Sequence, residues 1–318
     1  WFTWIGGLFH LKSSVGYDPA AFLAGPRLIN FLAEPGGLGI TELTEPLIDR
    51  LSGLPLAATL LPLANGGARL NISGILDTRS TAGFFQATAE LTDWSAVTLG
   101  GRYQTETREL VKSETQIVAI TTMPDDSAIT LLRFGRQRSD SSNFSPKVVV
   151  DFKLADDALL YLSYAKGFKS GTYNIANLYA PSDYVEPESV KSYELGYKDT
   201  LLDGTMRLAA AIFENRVDKV QGQIVSFTSG GAVKLINTGS GRIRGAEFDT
   251  QWQMFPDALP GFVFNAAGAY LDGVYTKYPN GAGFDETTGL FFDGTIFPTR
   301  DFSGNRTVRT PKWSGNIG

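Results

Sequence analysis

The chain contains no cysteine, which excludes a disulfide scaffold, thiolate metal sites and cysteine nucleophiles together. Its absence also suits a protein that crosses an oxidising periplasm without pairing thiols. The single histidine, His10, cannot build a His-rich metal site, and a structural role in its strand-like stretch is expected. Long apolar runs are missing as well. The nearest, Leu54 to Ala64, is broken by Pro55 and Pro62 and falls short of the ~18–20 residues that a membrane helix needs. If the chain meets a membrane, it does so through strands. Nor is there a basic surplus. The net charge is -5, whereas nucleic acid requires a basic footprint.

Glycine is plentiful at 35 residues, aromatics make up 12% and charged residues only 19% of the chain. That profile suits a β protein with many turns, and a mean hydropathy of -0.06 fits neither a helical membrane protein nor a disordered one. A length of 318 residues admits two ordinary domains or one large β domain.

Alternation decides between these. Between Phe144 and Gly171, Val148, Val150, Phe152 and Leu154 share one parity, while Val149, Asp151, Lys153 and Ala155 share the other. After the polar break Ala155–Ala158, Leu160, Leu162 and Tyr164 return on one face. Strand side chains alternate faces, so this stretch reads as an amphipathic hairpin. The scheme recurs. Phe85, Ala87, Ala89 and Leu91 oppose Gln86, Thr88 and Glu90, and Val97, Leu99 and Tyr103 oppose Thr98, Arg102 and Gln104. Tyr193, Leu195 and Tyr197 oppose Ser192, Glu194 and Lys198, and Ala246, Phe248, Trp252 and Met254 oppose Glu247, Asp249, Gln251 and Gln253. About ten strands of roughly ten residues or more are expected, longer than is usual in soluble domains. Short turns at Thr92–Ser95, Ala155–Ala158, Asp199–Gly204 and Phe255–Gly261 alternate with longer loops, including Met123–Asn143 and Thr172–Glu188. Unequal ends of this kind predict an all-β, antiparallel up-and-down transmembrane barrel with short periplasmic turns and long extracellular loops. A soluble or surface-attached β-rich module that binds carbohydrate or a protein partner is the alternative. Two long insertions are expected: residues 13–71, with a short helix over Leu43–Leu54, and residues 274–309.

Catalytic strings do not survive inspection. Ser163-Tyr-Ala-Lys166 matches S-x-x-K, but a strand puts positions three apart on opposite faces. Gly239-Ser-Gly-Arg-Ile-Arg-Gly245 is one residue longer than a dinucleotide fingerprint and leads into a strand rather than a helix, so it reads as a loop entering a strand. Asp125-Asp126 and Asp156-Asp157 lie in polar turns and read as solvated turn residues. No catalytic residue, metal site or cofactor is expected.

Several strings resemble recurring motifs of TonB-dependent outer-membrane receptors: Thr98-Leu-Gly-Gly-Arg-Tyr103, Ser163-Tyr-Ala-Lys-Gly-Phe-Lys-Ser-Gly171, Pro187-Glu188 with Ser192-Tyr-Glu-Leu-Gly-Tyr-Lys198, Asn237-Thr-Gly239, Gly245-Ala-Glu247 and Pro311-Lys-Trp-Ser-Gly-Asn316. Singly each is weak, but their order over about Thr81 to Gly318 is specific. The resemblance implies a barrel of about twenty-two strands around an N-terminal plug domain, placed in the outer membrane of a Gram-negative bacterium. It also implies TonB acting through the plug, and uptake of a ferric siderophore or similar bulky nutrient. No stretch matches a plug or a TonB box, so the chain is expected to be an internal portion of such a receptor's barrel. Ligand contacts are expected in the 274–309 loop, at Tyr275, Tyr278, Phe284, Phe291, Phe292, Arg300 and Arg306. Phe297, Phe302 and Arg309 lie in the same loop. Exposed aromatics beside arginines suit an anionic metal chelate. The competing reading of this loop is a small aromatic core of its own with anchors at the membrane interface. Tyr173, Tyr179 and Tyr184 form a weaker candidate of the same kind.

Overall fold

The computed structural model describes residues 1–24, 68–119, 129–176, 181–225, 233–285, 287, 290–292 and 298–318. Every element among them is a strand: β1 Phe2–Ala24, β2 Ala68–Thr92, β3 Ser95–Ala119, β4 Ile129–Arg133, β5 Gln137–Lys153, β6 Leu159–Lys169, β7 Thr172–Tyr173 and β8 Tyr184–Val185. There follow β9 Glu188–Leu201, β10 Met206–Val225, β11 Val233–Trp252, β12 Phe264–Lys277, β13 Gly283–Asp285, β14 Leu290–Phe292 and β15 Trp313–Ile317. One antiparallel sheet runs in the order β1-β2-β3-β5-β6-β9-β10-β11-β12-β15, with β4 added to the end of β3. β7–β8 and β13–β14 are separate two-stranded hairpins above it. The sheet is not closed among the described residues. β1 and β15 each pair on one side only.

Register places the expected apolar rows on one continuous face. Val97, Val150, Leu162, Leu195, Ile212, Ala246, Tyr270 and Trp313 oppose one another in succession across eight strands. That face is bare: Ile212 is 56% exposed, Leu99 55% and Leu162 49%. An apolar face of this extent with no protein against it is what lipid requires. The opposite face carries Thr98, Lys147, Ser163, Glu194, Lys198, Glu247 and Asp249 and forms the lumenal side.

The upper edge of the apolar face does not follow a single register. On β1, β2, β3 and β5 it reaches Leu8, Gly83, Tyr103 and Phe144, which are mutual partners. On β6 and β9 it ends at Tyr164 and Tyr193, in register with Val148 and so four residues lower on β5. On β10, β11 and β12 it ends at Ile212, Ala246 and Tyr270, in register with Leu195 and so two residues lower again. Barrel strands are tilted, so hydrogen-bonded rows are inclined to the membrane plane and a flat boundary cuts across them.

The strands are longer than alternation predicts. β2 and β3 each run for 25 residues, more than twice the 9–11 or so that cross a bilayer. The loop expected over 13–71 is therefore shorter at both ends, because β1 continues to Ala24 and β2 begins at Ala68. The helix expected over Leu43–Leu54 lies outside the described residues. The Met123–Asn143 loop likewise contains β4 and the start of β5, and the 274–309 loop begins only after Lys277. Gly239 to Gly245 lies wholly inside β11 rather than in a loop leading to it. The reason is common to these segments. Above the bilayer neither face must be apolar, so strands such as Gln137–Asn143 keep their ladder bonds and lose the alternation.

The face assignment is testable in lipid. Phe248 lies on the bare face and Glu247 on the lumenal one. Phe248→Arg should cost about 2–4 kcal/mol near the bilayer midplane, whereas Glu247→Gln should leave stability almost unchanged. Equal tolerance of both in a refolding titration into lipid would reverse the faces.

Candidate functional site

Three clusters of side chains occupy the end of the sheet opposite the short turns. In the first, the chain after β6 folds inward as the β7–β8 hairpin, and Tyr173 and Tyr184 pack on Leu76 and Leu110 of β2 and β3 with Ile175 beside them. The two tyrosine rings lie 5.2 Å apart. A Cβ on Gly74 would come within 2.1 Å of the Ile175 carbonyl, so only glycine permits this approach. Tyr173 is 7% exposed, and burial raises its phenol pKa. These tyrosines fasten a hairpin. Tyr179 lies outside the described residues.

In the second cluster, motifs far apart in sequence converge. β10 bulges between Asp218 and Gln221, where Lys219 takes a positive φ of 56°. The Gln221 amide, freed by the bulge, donates to Glu188 Oε2 at 2.6 Å. Gln221 Nε2 donates to the carbonyls of Ser170 and Glu186, each at 3.0 Å. Asn237 Nδ2 donates to the carbonyls of Glu186 and Lys219, while its Oδ1 accepts from the Glu186 amide at 2.7 Å. Thr238 Oγ1 donates to the Val220 carbonyl. Gly239 adopts a φ of 147°, and a Cβ there would lie 1.9 Å from the Lys277 carbonyl. Asn174 then pairs with both the amide and the carbonyl of Leu235, as a strand neighbour would. The Lys-Ser-Gly, Pro-Glu and Asn-Thr-Gly strings thus tie the ends of β6, β9, β10 and β11 together.

The third cluster is the loop between β12 and β15. Tyr275 and Tyr278 meet edge to face at 5.0 Å, and Tyr278 meets Phe302 at 5.4 Å. Tyr278 is 7% exposed; burial first, and the neighbouring Tyr275 second, raise its phenol pKa. Backbone bonds between Tyr278 and Phe302, and in both directions between Gly281 and Arg300, hold the two arms of the loop. β13–β14 pairs Phe284 with Phe291 and Gly283 with Phe292 through the backbone. The side chains of those three phenylalanines, and Phe297, lie outside what the structure describes. Arg300 is ion-paired to Asp285, and Arg306 Nη2 donates to the Thr310 carbonyl at 2.9 Å. The backbone brings Tyr275 and Tyr278 together with Phe302, whereas Arg306 stands apart, opposite Val274. Ser303 donates to Asp301 and lowers its pKa. Among the described residues no group of His, Asp and Glu is placed to hold a metal ion.

An antiparallel wall with one bare apolar face, a polar face opposite and long strands rising into loops belongs to the class of up-and-down transmembrane barrels. Residues 52–318 match the family described as TonB dependent receptor-like, beta-barrel, and the chain belongs to that family. The ferric yersiniabactin uptake receptor of Yersinia pestis is similar in fold, with a TM-score of 0.56 and 18% identity over 79% of this chain and 33% of that one. The siderophore receptor of Acinetobacter baumannii gives 0.53 and 20%, over 78% of this chain and 32% of that one. The chain therefore spans about a third of the length of either receptor.

Tyr278→Ala removes the centre of the loop's aromatic chain, a change of about 3 kcal/mol where a large buried ring is lost. Faster amide exchange at Gly281 and Phe302 is expected, with exchange in β9 and β10 unchanged. Uniform exchange across all four segments would mean that the loop is not a separate packing unit.

Proposed function

We propose that this chain forms part of the wall of a TonB-dependent receptor in the outer membrane of a Gram-negative bacterium. In this reading the receptor takes up a ferric siderophore or a similarly bulky nutrient and is a transporter rather than an enzyme. The observation that carries it is the bare apolar face of the sheet in a chain whose family is that of such receptors. Lipid would cover that face, a plug domain would fill the polar lumenal side, and TonB would act through the plug. Of the two similar receptors named above, one takes up ferric yersiniabactin and the other is a siderophore receptor, which supports the substrate class.

Within this reading the ligand is met at the loop between β12 and β15. Tyr275, Tyr278, Phe284, Phe291, Phe292, Arg300 and Arg306 would provide rings and charge for an anionic chelate. Tyr278 would act mainly by holding the loop, since little of it is exposed. Arg300 and Arg306, more open to solvent, would meet the ligand's charge.

In cells starved of iron, Arg300→Ala with Arg306→Ala should weaken uptake of the labelled chelate by roughly tenfold, the scale of one lost charge-assisted bond. Receptor levels in the outer membrane should stay the same. Unaltered uptake would remove the loop from the ligand site. A protein that stays monodisperse in plain buffer without detergent would instead favour a soluble binding module.

A further inference from the structure

Immediately above Tyr164 and Tyr193 the outward face changes character. Lys166 opposes Lys191, Lys191 opposes Arg216, and Arg216 opposes Arg242. Four cations thus stand side by side on β6, β9, β10 and β11 in three successive like-charge pairs. Directly opposed side chains on a sheet have Cβ atoms ~4.5–5.5 Å apart, and like charges at that distance repel. One step beyond the last β5–β6 pair, Lys147 with Ala165, the row Pro146, Gly101, Phe85 and Gly6 carries no charge. The row is therefore a local patch and not a girdle around the wall.

Neighbouring carboxylates offset only part of this charge. Glu214 is ion-paired to both Arg216 and Arg244. Asp272 lies opposite Arg244, and Asp218 accepts from Ser240 Oγ at 3.2 Å. Lys166, Lys191 and Arg242 have no ion-pair partner among the described residues, and the Arg242 Nε is buried without a hydrogen-bond acceptor. Below the row lie Leu162, Leu195 and Ile212. Tyr193 stands between them and the row, and the Arg216 guanidinium sits 5.8 Å from the centre of its ring, which fixes the cation at the edge of the apolar zone.

We propose that Lys166, Lys191, Arg216 and Arg242 form a seat for the phosphorylated headgroup of an outer-leaflet lipid, whose acyl chains lie along Leu162, Leu195 and Ile212. A phosphomonoester supplies the acceptor oxygens that relieve the three repelling pairs. An amphiphile matches the site because cations and apolar side chains share one face. The inference rests on the membrane placement proposed above.

The test uses the protein produced from its whole coding sequence, in nanodiscs of phosphatidylcholine with or without phosphatidic acid. Retained lipid is read by native mass spectrometry. One variant combines Lys166→Gln, Lys191→Gln and Arg242→Gln; a control combines Lys147→Gln, Lys198→Gln and Arg207→Gln on the lumenal face. Wild type and control should retain phosphatidic acid over phosphatidylcholine by at least about tenfold, and the outward variant should lose that preference. Added salt should weaken it, and inorganic phosphate should not displace the lipid at matched ionic strength. An outward variant that keeps the preference, or an equal loss in both variants, overturns the seat. Displacement by inorganic phosphate also overturns it, in favour of a soluble-anion site. Failure of wild type to enter nanodiscs is a separate readout that overturns the membrane placement and the seat together.

Discussion

Hydrocarbon offers no hydrogen-bond partner to a peptide group and no counterpart to a charge. In this chain both demands fall on the same few residues of each strand. The ladder from β1 to β15 pairs the backbone, and the band of the outward face at Leu99, Leu162, Ile212 and Phe248, below the row of cations, carries no charge. Exposed apolar side chains that would be a liability in water are here the surface the solvent selects. β1 and β15 each keep one edge unpaired among the described residues.

The parts of the fold under this constraint were legible in the sequence. Val148, Val150, Phe152 and Leu154 declared their strand because lipid permits nothing polar on that parity. The extensions did not declare themselves. Gln137–Asn143 and Thr105–Glu109 are polar on both faces, yet each is strand throughout. Their stability comes from backbone bonds between neighbours, which leave no periodic mark on side chains. Residues Ser13 to Ala24 were obscured further by Gly16 and Pro19, which accompany a register shift between Tyr17 and Ala20.

The candidate sites divide in the same way. Family-like strings such as Asn237-Thr-Gly239 were visible, but their purpose depends on partners dozens of residues away. Asn237 meets Glu186, and Glu188 meets the bulge before Gln221. No spacing within one string reveals such a partnership. Tyr173 and Tyr184 looked like ligand-binding aromatics because composition cannot distinguish a ring facing solvent from one closed against Leu76 and Leu110. The outward cations were missed because each lies on a different strand, and only the register aligns Lys166, Lys191, Arg216 and Arg242.

The length of β3 has a consequence for what an outside molecule meets first. From the apolar boundary at Tyr103 the strand continues to Ala119. At ~3.3 Å per residue and a tilt of ~40°, it rises roughly 40 Å beyond the hydrocarbon. A palisade of that height carries the loop tips clear of a lipid surface and its headgroups. A visitor as large as an antibody would therefore touch strand tips and loops, while the lipid-covered wall below stayed beyond its reach.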